Sequence, residues 1–318
     1  MAISEQEAAA SLHVLVAVAQ ADGTIHDDEK QALAAALAGI EILEGVDIEQ
    51  FLTEKVDLAQ EVSLLVSDEA REATYSSAYS LAHADGACSS DEQAVLDRLK
   101  GLLKIDDARA AQVRSIFHEE SGISEKKSAY DKISDPVERE SVVRSQTLKD
   151  SVMSAVFGAF PFPGLAIATD LAVVAIQRSL IRDIGALWGQ QVDKSSAKKL
   201  LATFGLGTGA RIAVNNLVKF IPGWGSLVGA TTSFASTYAV GVVMHTYFER
   251  AGDRALDPDA LKAAFEAAQQ EGKETYKAKK AEIDAKEHAT KAKLEELGAE
   301  LKGGRISQAE FEERASRM

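Results

Sequence analysis

The sequence predicts an all-α fold, and three observations carry that prediction. Apolar residues recur at spacings of three and four along nearly the whole chain, which is the period of a helix face. Stretches that alternate β-branched and polar residues between turn residues, the mark of strands, are scarce. Only 5 prolines interrupt 318 residues, so long helices meet few breakers. That length allows two or three packed units with a substantial core.

The N-terminus (Met1, Ala2, Ile3, Ser4, Glu5, Gln6, Glu7) is acidic and lacks a basic stretch leading into an apolar one. It predicts no secretory signal and a chain that begins in the cytoplasm. The single cysteine, Cys88, excludes an internal disulfide framework and suits a reducing compartment.

The first unit contains an internal repeat. Ala19-Gln20-Ala21-Asp22-Gly23 with Glu29 matches Ala82-His83-Ala84-Asp85-Gly86 with Glu92, 63 positions later. Each copy ends an apolar helix (12–19 and 75–82), turns at Asp-Gly, where glycine tolerates positive φ, and enters another helix. Ser89 and Glu92 have capping-box spacing. His26 holds the equivalent place in the first copy, with Asp27 and Asp28 favouring the helix dipole.

This duplicated Ala-x-Ala-Asp-Gly motif resembles the TerB-like family, over roughly residues 5–120. That family includes tellurite-resistance proteins and the N-terminal domain of a membrane-anchored J-domain co-chaperone. The resemblance implies a compact, acidic, all-helical domain without enzymatic activity, and a divalent metal as its only candidate cofactor. His26 and Cys88 depart from the family pattern.

The Asp-Gly turns also look like half of a calcium loop, with Asp22 and Glu29 at positions 5 and 12. The acidic positions 1 and 3 are Val18 and Gln20, or Leu81 and His83 in the second copy, which leaves too little charge for tight calcium. Asp22, Glu29, His83, Asp85, Cys88 and Glu92 are the candidate metal ligands, since thiolate and imidazole suit zinc or copper. Against a metal, the usual paired Cys or His spacing is missing, and Asp22 and Asp85 suit turn caps.

A linker helix (121–150) leads to an apolar, glycine-rich block (151–252). Residues 220–248 contain no Asp, Glu, Lys or Arg. The 23 residues from Ser226 on would make a helix of ~35 Å at ~1.5 Å per residue, enough for a bilayer core of ~30 Å. Pro163-Gly164 and Pro222-Gly223 each precede an apolar stretch, and Gly185/Gly189, Gly205/Gly209 and Gly225/Gly229 have GxxxG spacing. The reading is that 220–248 packs against 152–176 as one unit. Asp170 and His245 are polar residues inside apolar runs and so candidate intramembrane sites; Arg178 or Lys219 is the expected partner of Asp170. This block resembles an uncharacterised, membrane-associated bacterial domain often linked to GTPases. The matching residues are Phe157-Gly158, Phe162-Pro163-Gly164, Ile221-Pro222-Gly223-Trp224-Gly225 and Tyr238-Ala239-Val240-Gly241.

Gly205-Leu206-Gly207-Thr208-Gly209 lacks the preceding strand and following acid of a dinucleotide loop, and no Walker motif occurs. Beyond residue 253 the composition turns to Ala, Lys and Glu, which predicts a mostly solvated helix (253–292) opened by Asp257-Pro258 and supported by i,i+4 charge pairs. The final stretch (293–318) resembles a SHOCT-type helical hairpin. Leu294, Leu297, Leu301, Ile306 and Phe311 would form its core, and such tails are linked with oligomerisation.

The net charge of −14 disfavours nucleic acid as a partner. It is uneven: −16 over residues 1–150, +4 over 151–252 and −2 over the rest. The cations beside the apolar stretches (Arg178, Arg182, Lys194, Lys198, Lys199, Arg211 and Lys219) suit an anionic inner leaflet. The leading expectation is a non-enzymatic, membrane-associated adaptor on the cytoplasmic face of the inner membrane, forming homo-oligomers or engaging a protein partner in envelope or tellurite and metal stress. The alternatives are a soluble helical interaction protein and a metal sensor built on the Asp-Gly loops.

Overall fold

The structure, a computed structural model, describes residues 3–21, 33–34, 37, 47–83, 88–118, 128, 130–160, 166–206, 209–219, 225–250, 257–316 and 318. Among them are thirteen α-helices and no strand, as the periodicity requires. The first six are α1 (Glu5–Ala19), α2 (Ile48–Thr53), α3 (Leu58–Ser63), α4 (Asp68–Ala82), α5 (Ser90–Leu102) and α6 (Asp107–His118). Ser4, Asp47, Asp57, Ser67 and Ser89 open the first five, each accepting from an amide of the first turn. The Ser89–Glu92 capping box is formed as its spacing predicts.

The sequence repeat is a structural duplication. α1 and α4 have the same length and the same 63-residue offset at both ends. They touch at Ser11 and Thr74, whose hydroxyl oxygens lie 2.7 Å apart. Each hydroxyl also lies within donating distance of the carbonyl four residues earlier, Glu7 for Ser11 and Ala70 for Thr74. Two hydroxyl protons are thus shared among three short contacts where the halves meet. Their apolar faces, with Leu15, Val18, Tyr79 and Leu81, form a core with Leu52, Leu65, Leu96, Leu99 and Leu103.

A second body is built from α7 (Pro136–Ala159), α8 (Ala166–Leu187), α9 (Lys194–Thr203), α11 (Gly225–Arg250) and α12 (Pro258–Lys302). α11 packs on both α7 and α8, the pairing expected from the apolar stretches. The closest approach of α7 and α11 is Gly158 on Gly229: a Cβ on Gly158 would come within 2.3 Å of the Gly229 carbonyl oxygen. Two β-carbons there would force the backbones apart. A hydroxyl seam lies alongside, with Gln177 Nε2 donating to Ser236 Oγ and Thr237 Oγ1, and Thr237 Oγ1 donating to Ser154 Oγ at 2.9 Å. Phe157, Phe234, Ala239, Val240 and Met244 are fully enclosed. Among the described residues, no helix is long and apolar enough to cross a membrane. The charge-free run has the length but not the apolarity, because Gly, Ser and Thr dilute it.

α12 is 45 residues long and most of its positions are exposed, as expected, but one side of it is buried. Leu261, Phe265, Ala268, Gly272, Tyr276 and Ile283 form a buried stripe at spacings of three, four and seven. Gly272 sits against Ala235, and Tyr276 meets the edge of Phe234. The five apolar residues expected at the hairpin core are all buried, but as part of a larger cluster with Met153, Phe157, Ile167 and Ala172. α13 (Gln308–Ser316) therefore docks on α8, and Gln308 Nε2 donates to the Ala168 carbonyl.

α10 (Gly209–Val218) does not pack where its place in the chain suggests. Its Ala213, Val214 and Leu217 belong to the core of the duplicated unit, against α4 and α1. This crossover joins the two bodies.

Candidate functional site

The junction is marked by a buried ion pair. Lys219 follows α10 directly, and Asp170 lies in the first turns of α8. Lys219 Nζ donates to Asp170 Oδ1 at 2.6 Å and to Thr169 Oγ1 at 3.0 Å. Asp170 is 6 % exposed and Lys219 5 %. Burial pushes the Asp170 carboxyl upward, while Lys219 and Arg211 pull the other way. Burial also lowers Arg211, which Asp170 opposes. Asp170 Oδ2 is buried without a hydrogen-bond partner. Such a pair adds little net stability over an apolar replacement, but losing one partner alone leaves an uncompensated charge.

Three residues before Lys219, buried Asn216 makes the second contact across the junction. Its Nδ2 donates to the Ala73 carbonyl and to Ser77 Oγ of α4. The sequence gives no signal for Asn216, because the residue that receives it lies 143 positions away.

The predicted pairing of Asp170 with Lys219 is thus present; burial lowers Arg178, which the Glu312 charge opposes. His245, the other polar candidate, is half-buried with its ring 5.7 Å from that of Trp188. The Arg139 guanidinium lies 3.6 Å over the same Trp188 ring. Of the cations expected along a membrane-facing rim, Lys219 turns inward to a carboxylate and Arg178 is half-buried, whereas Lys198 and Lys199 are exposed.

The GxxxG reading needs correction. Gly189 (φ +79°) and Gly205 (φ +67°) end α8 and α9. In each case two amides fold back to the last turn: Gly189 to Ala186 and Gln190 to Gly185, then Gly205 to Ala202 and Leu206 to Leu201. These are left-handed C-caps, which glycine adopts without a β-carbon clash. They are not interhelical contacts. Gly185 does pack closely, on Val192 and Phe248. Gly229 packs on Gly158 rather than acting as a pair with Gly225, which opens α11; Gly209 likewise opens α10. Pro222 and Gly223 lie outside the described residues.

So do Asp22, Glu29 and Asp85 among the proposed metal ligands. His83 donates Nδ1–H to the Tyr79 carbonyl and stacks on the Tyr79 ring at 4.1 Å. The Glu92 carboxylate accepts from the Ser89 amide, so it caps α5. Cys88 is half-buried beside that cap. Among the described residues no group of three or more His, Cys, Asp or Glu could hold a metal ion.

Sequence reasoning missed two carboxylates. Glu7 is 7 % exposed and accepts five hydrogen bonds: the Ser4 amide and hydroxyl on Oε2, and the Val66 amide, Ser67 amide and Ser67 hydroxyl on Oε1. One side chain therefore caps both α1 and α4. Burial alone would raise it, but the backbone and hydroxyl donors of Ser4 and Ser67 hold it down at about 2. The Ser4-x-x-Glu7 spacing was a readable signal for half of this role. Asp150 takes the opposite course: burial lifts it to about 7, against the Gln146 hydrogen bond and with help from Asp183.

Residues 10–115 match the family model described as Tellurite resistance protein TerB. The match covers the duplicated unit, α1 to α6, apart from its outer edges, and the N-terminal domain is TerB-like. No curated protein and no solved structure matches the chain.

Proposed function

We propose that this protein is a non-enzymatic helical adaptor in a tellurite or metal-stress response. In this reading the TerB-like domain presents an acidic recognition surface, and the glycine-seamed bundle is the rigid body that carries it. The crossover of α10 supports the reading. A helix from the second body completes the core of the first, so the two act as one mechanical unit rather than as modules on a string. The enclosure of Phe157, Phe234, Val240 and Met244 favours a bundle that folds on itself. Contact with the inner membrane is then peripheral, through the exposed cations rather than by a span.

Two measurements test this. Deleting the gene is expected to lower growth in potassium tellurite, restored by the wild-type chain; unchanged tolerance would reject the stress role. Carbonate extraction of the membrane fraction is expected to release the protein, and a carbonate-resistant pool would reject peripheral contact.

A further inference from the structure

We propose that the outer face of α4 is a helix-docking site and that α10 is its intramolecular occupant, anchored to the bundle through Lys219 and Asp170. The inference goes beyond the stress role and does not depend on it.

Three observations carry it. First, α10 lies outside the matched span 10–115, yet Ala213, Val214 and Leu217 sit in that domain's core. The occupant comes from elsewhere in the chain, as a ligand does. Second, the contact has the form of helix-in-groove recognition, an apolar stripe with one polar determinant. Ala213, Val214 and Leu217 supply the stripe. Asn216 supplies the determinant by reading the Ala73 carbonyl and the Ser77 hydroxyl. The receiving face is shaped for close approach, since Ala70, Ala73, Ser77 and Ser80 are small and buried. Third, the duplication supplies a comparison. Among the described residues α1 meets α3, a neighbour within its own domain, and α10 more lightly, whereas α4 is covered chiefly by α10. The two halves of the repeat therefore share α10 unequally, with α4 as its main seat.

The kind of partner that fits is therefore a short helix with small or apolar residues at two successive positions, an Asn two further on and a Leu next to it. Any such partner must displace α10. Displacement would strip Lys219 from Asp170, so occupancy of the α4 face and the state of the bundle are linked.

The test uses the full chain and hydrogen exchange, with two variants, Asp170→Asn and Asn216→Ala. Asp170→Asn changes only the bundle side of the anchor, and Asn216→Ala removes only the polar determinant. Both are expected to speed exchange of the amides of α10 and α4 together, on the order of 10- to 100-fold, while the amides of α7 stay protected and those of α1, which α10 touches less, change less. A labelled peptide of residues 209–219 is then expected to bind the Asp170→Asn chain and not the wild type. Unchanged α4 exchange in both variants would overturn the proposal. So would loss of protection spread equally over α1, α4 and α7, which would mean a single core with no separable site. A released α10 without peptide binding would overturn it as well.

Discussion

Replacing Glu7 by Gln tests whether one carboxylate holds two helix starts together. The substitution keeps the shape and removes the charge. Oε1 could still accept from Ser67 and Val66, but the amide nitrogen would face the Ser4 amide donor, so at least one buried donor is left unpaired. The magnitude follows from linkage. A carboxyl whose ordinary value of 4.5 falls to about 2 on folding contributes about 3 kcal/mol at neutral pH, at roughly 1.4 kcal/mol per pH unit. The sign is that of a depressed acid: the contribution is complete above 4.5 and is lost as pH falls toward 2. Glu7→Gln is therefore expected to be about 2–3 kcal/mol less stable than wild type at pH 7, with the gap shrinking between pH 4.5 and 2. Urea denaturation followed by exchange protection of α1 and α4 at pH 7, 4 and 3 measures it. Equal stability at pH 7, or a gap that does not change with pH, would refute the double-cap assignment.

Three further outcomes are expected. Asp150→Asn should stabilise the bundle by about 2–4 kcal/mol at pH 8 and leave it unchanged near pH 3.5. A folded value raised to about 7 means that wild type loses stability as pH rises from the ordinary carboxylate range to 7; thermal melts at the two pH values decide it. Gly229→Ala, whose β-carbon would lie 2.2 Å from the Gly158 carbonyl oxygen, should cost about 1–3 kcal/mol by overpacking. Gly205→Ala, with open space but positive φ, should cost only about 1–2 kcal/mol, so equal large losses in both melts would contradict the crossing. Lys104, at φ +58°, ends α5 in the conformation glycine prefers; Lys104→Gly should raise stability by about 1 kcal/mol in a urea titration.

The helical class was legible because it rests on local periodicity, and the repeat was legible because duplication leaves the same residues at one offset. The five apolar residues near the C-terminus could be read as buried for the same reason. Sequence showed only in part which surfaces meet: the pairing of 220–248 with 152–176 was readable, but most other contacts were not. The buried side of α12 was hard to read because Ala268 and Gly272 carry no hydrophobic signature, although the missing side chain of Gly272 is what admits Ala235. Gly189 and Gly205 matched a packing motif whose spacing helix ends also produce. Asp170 was recognisable as an exception within an apolar run, but Asn216 was an ordinary polar residue on a short helix. Its role exists only because the chain crosses back to α4.

The shared cap at Glu7 has a consequence for how the repeat arose and what it permits. Position 70, the counterpart of Glu7, is a fully buried alanine. Were it also glutamate, two carboxylates would compete for the same donors where the halves meet, and like charges in one buried site repel. An assembly of two identical chains cannot choose differently at equivalent positions; a tandem duplication can. Placing both halves on one polypeptide is what lets a single acid stand where symmetry would have demanded a pair, and it makes the two halves no longer interchangeable.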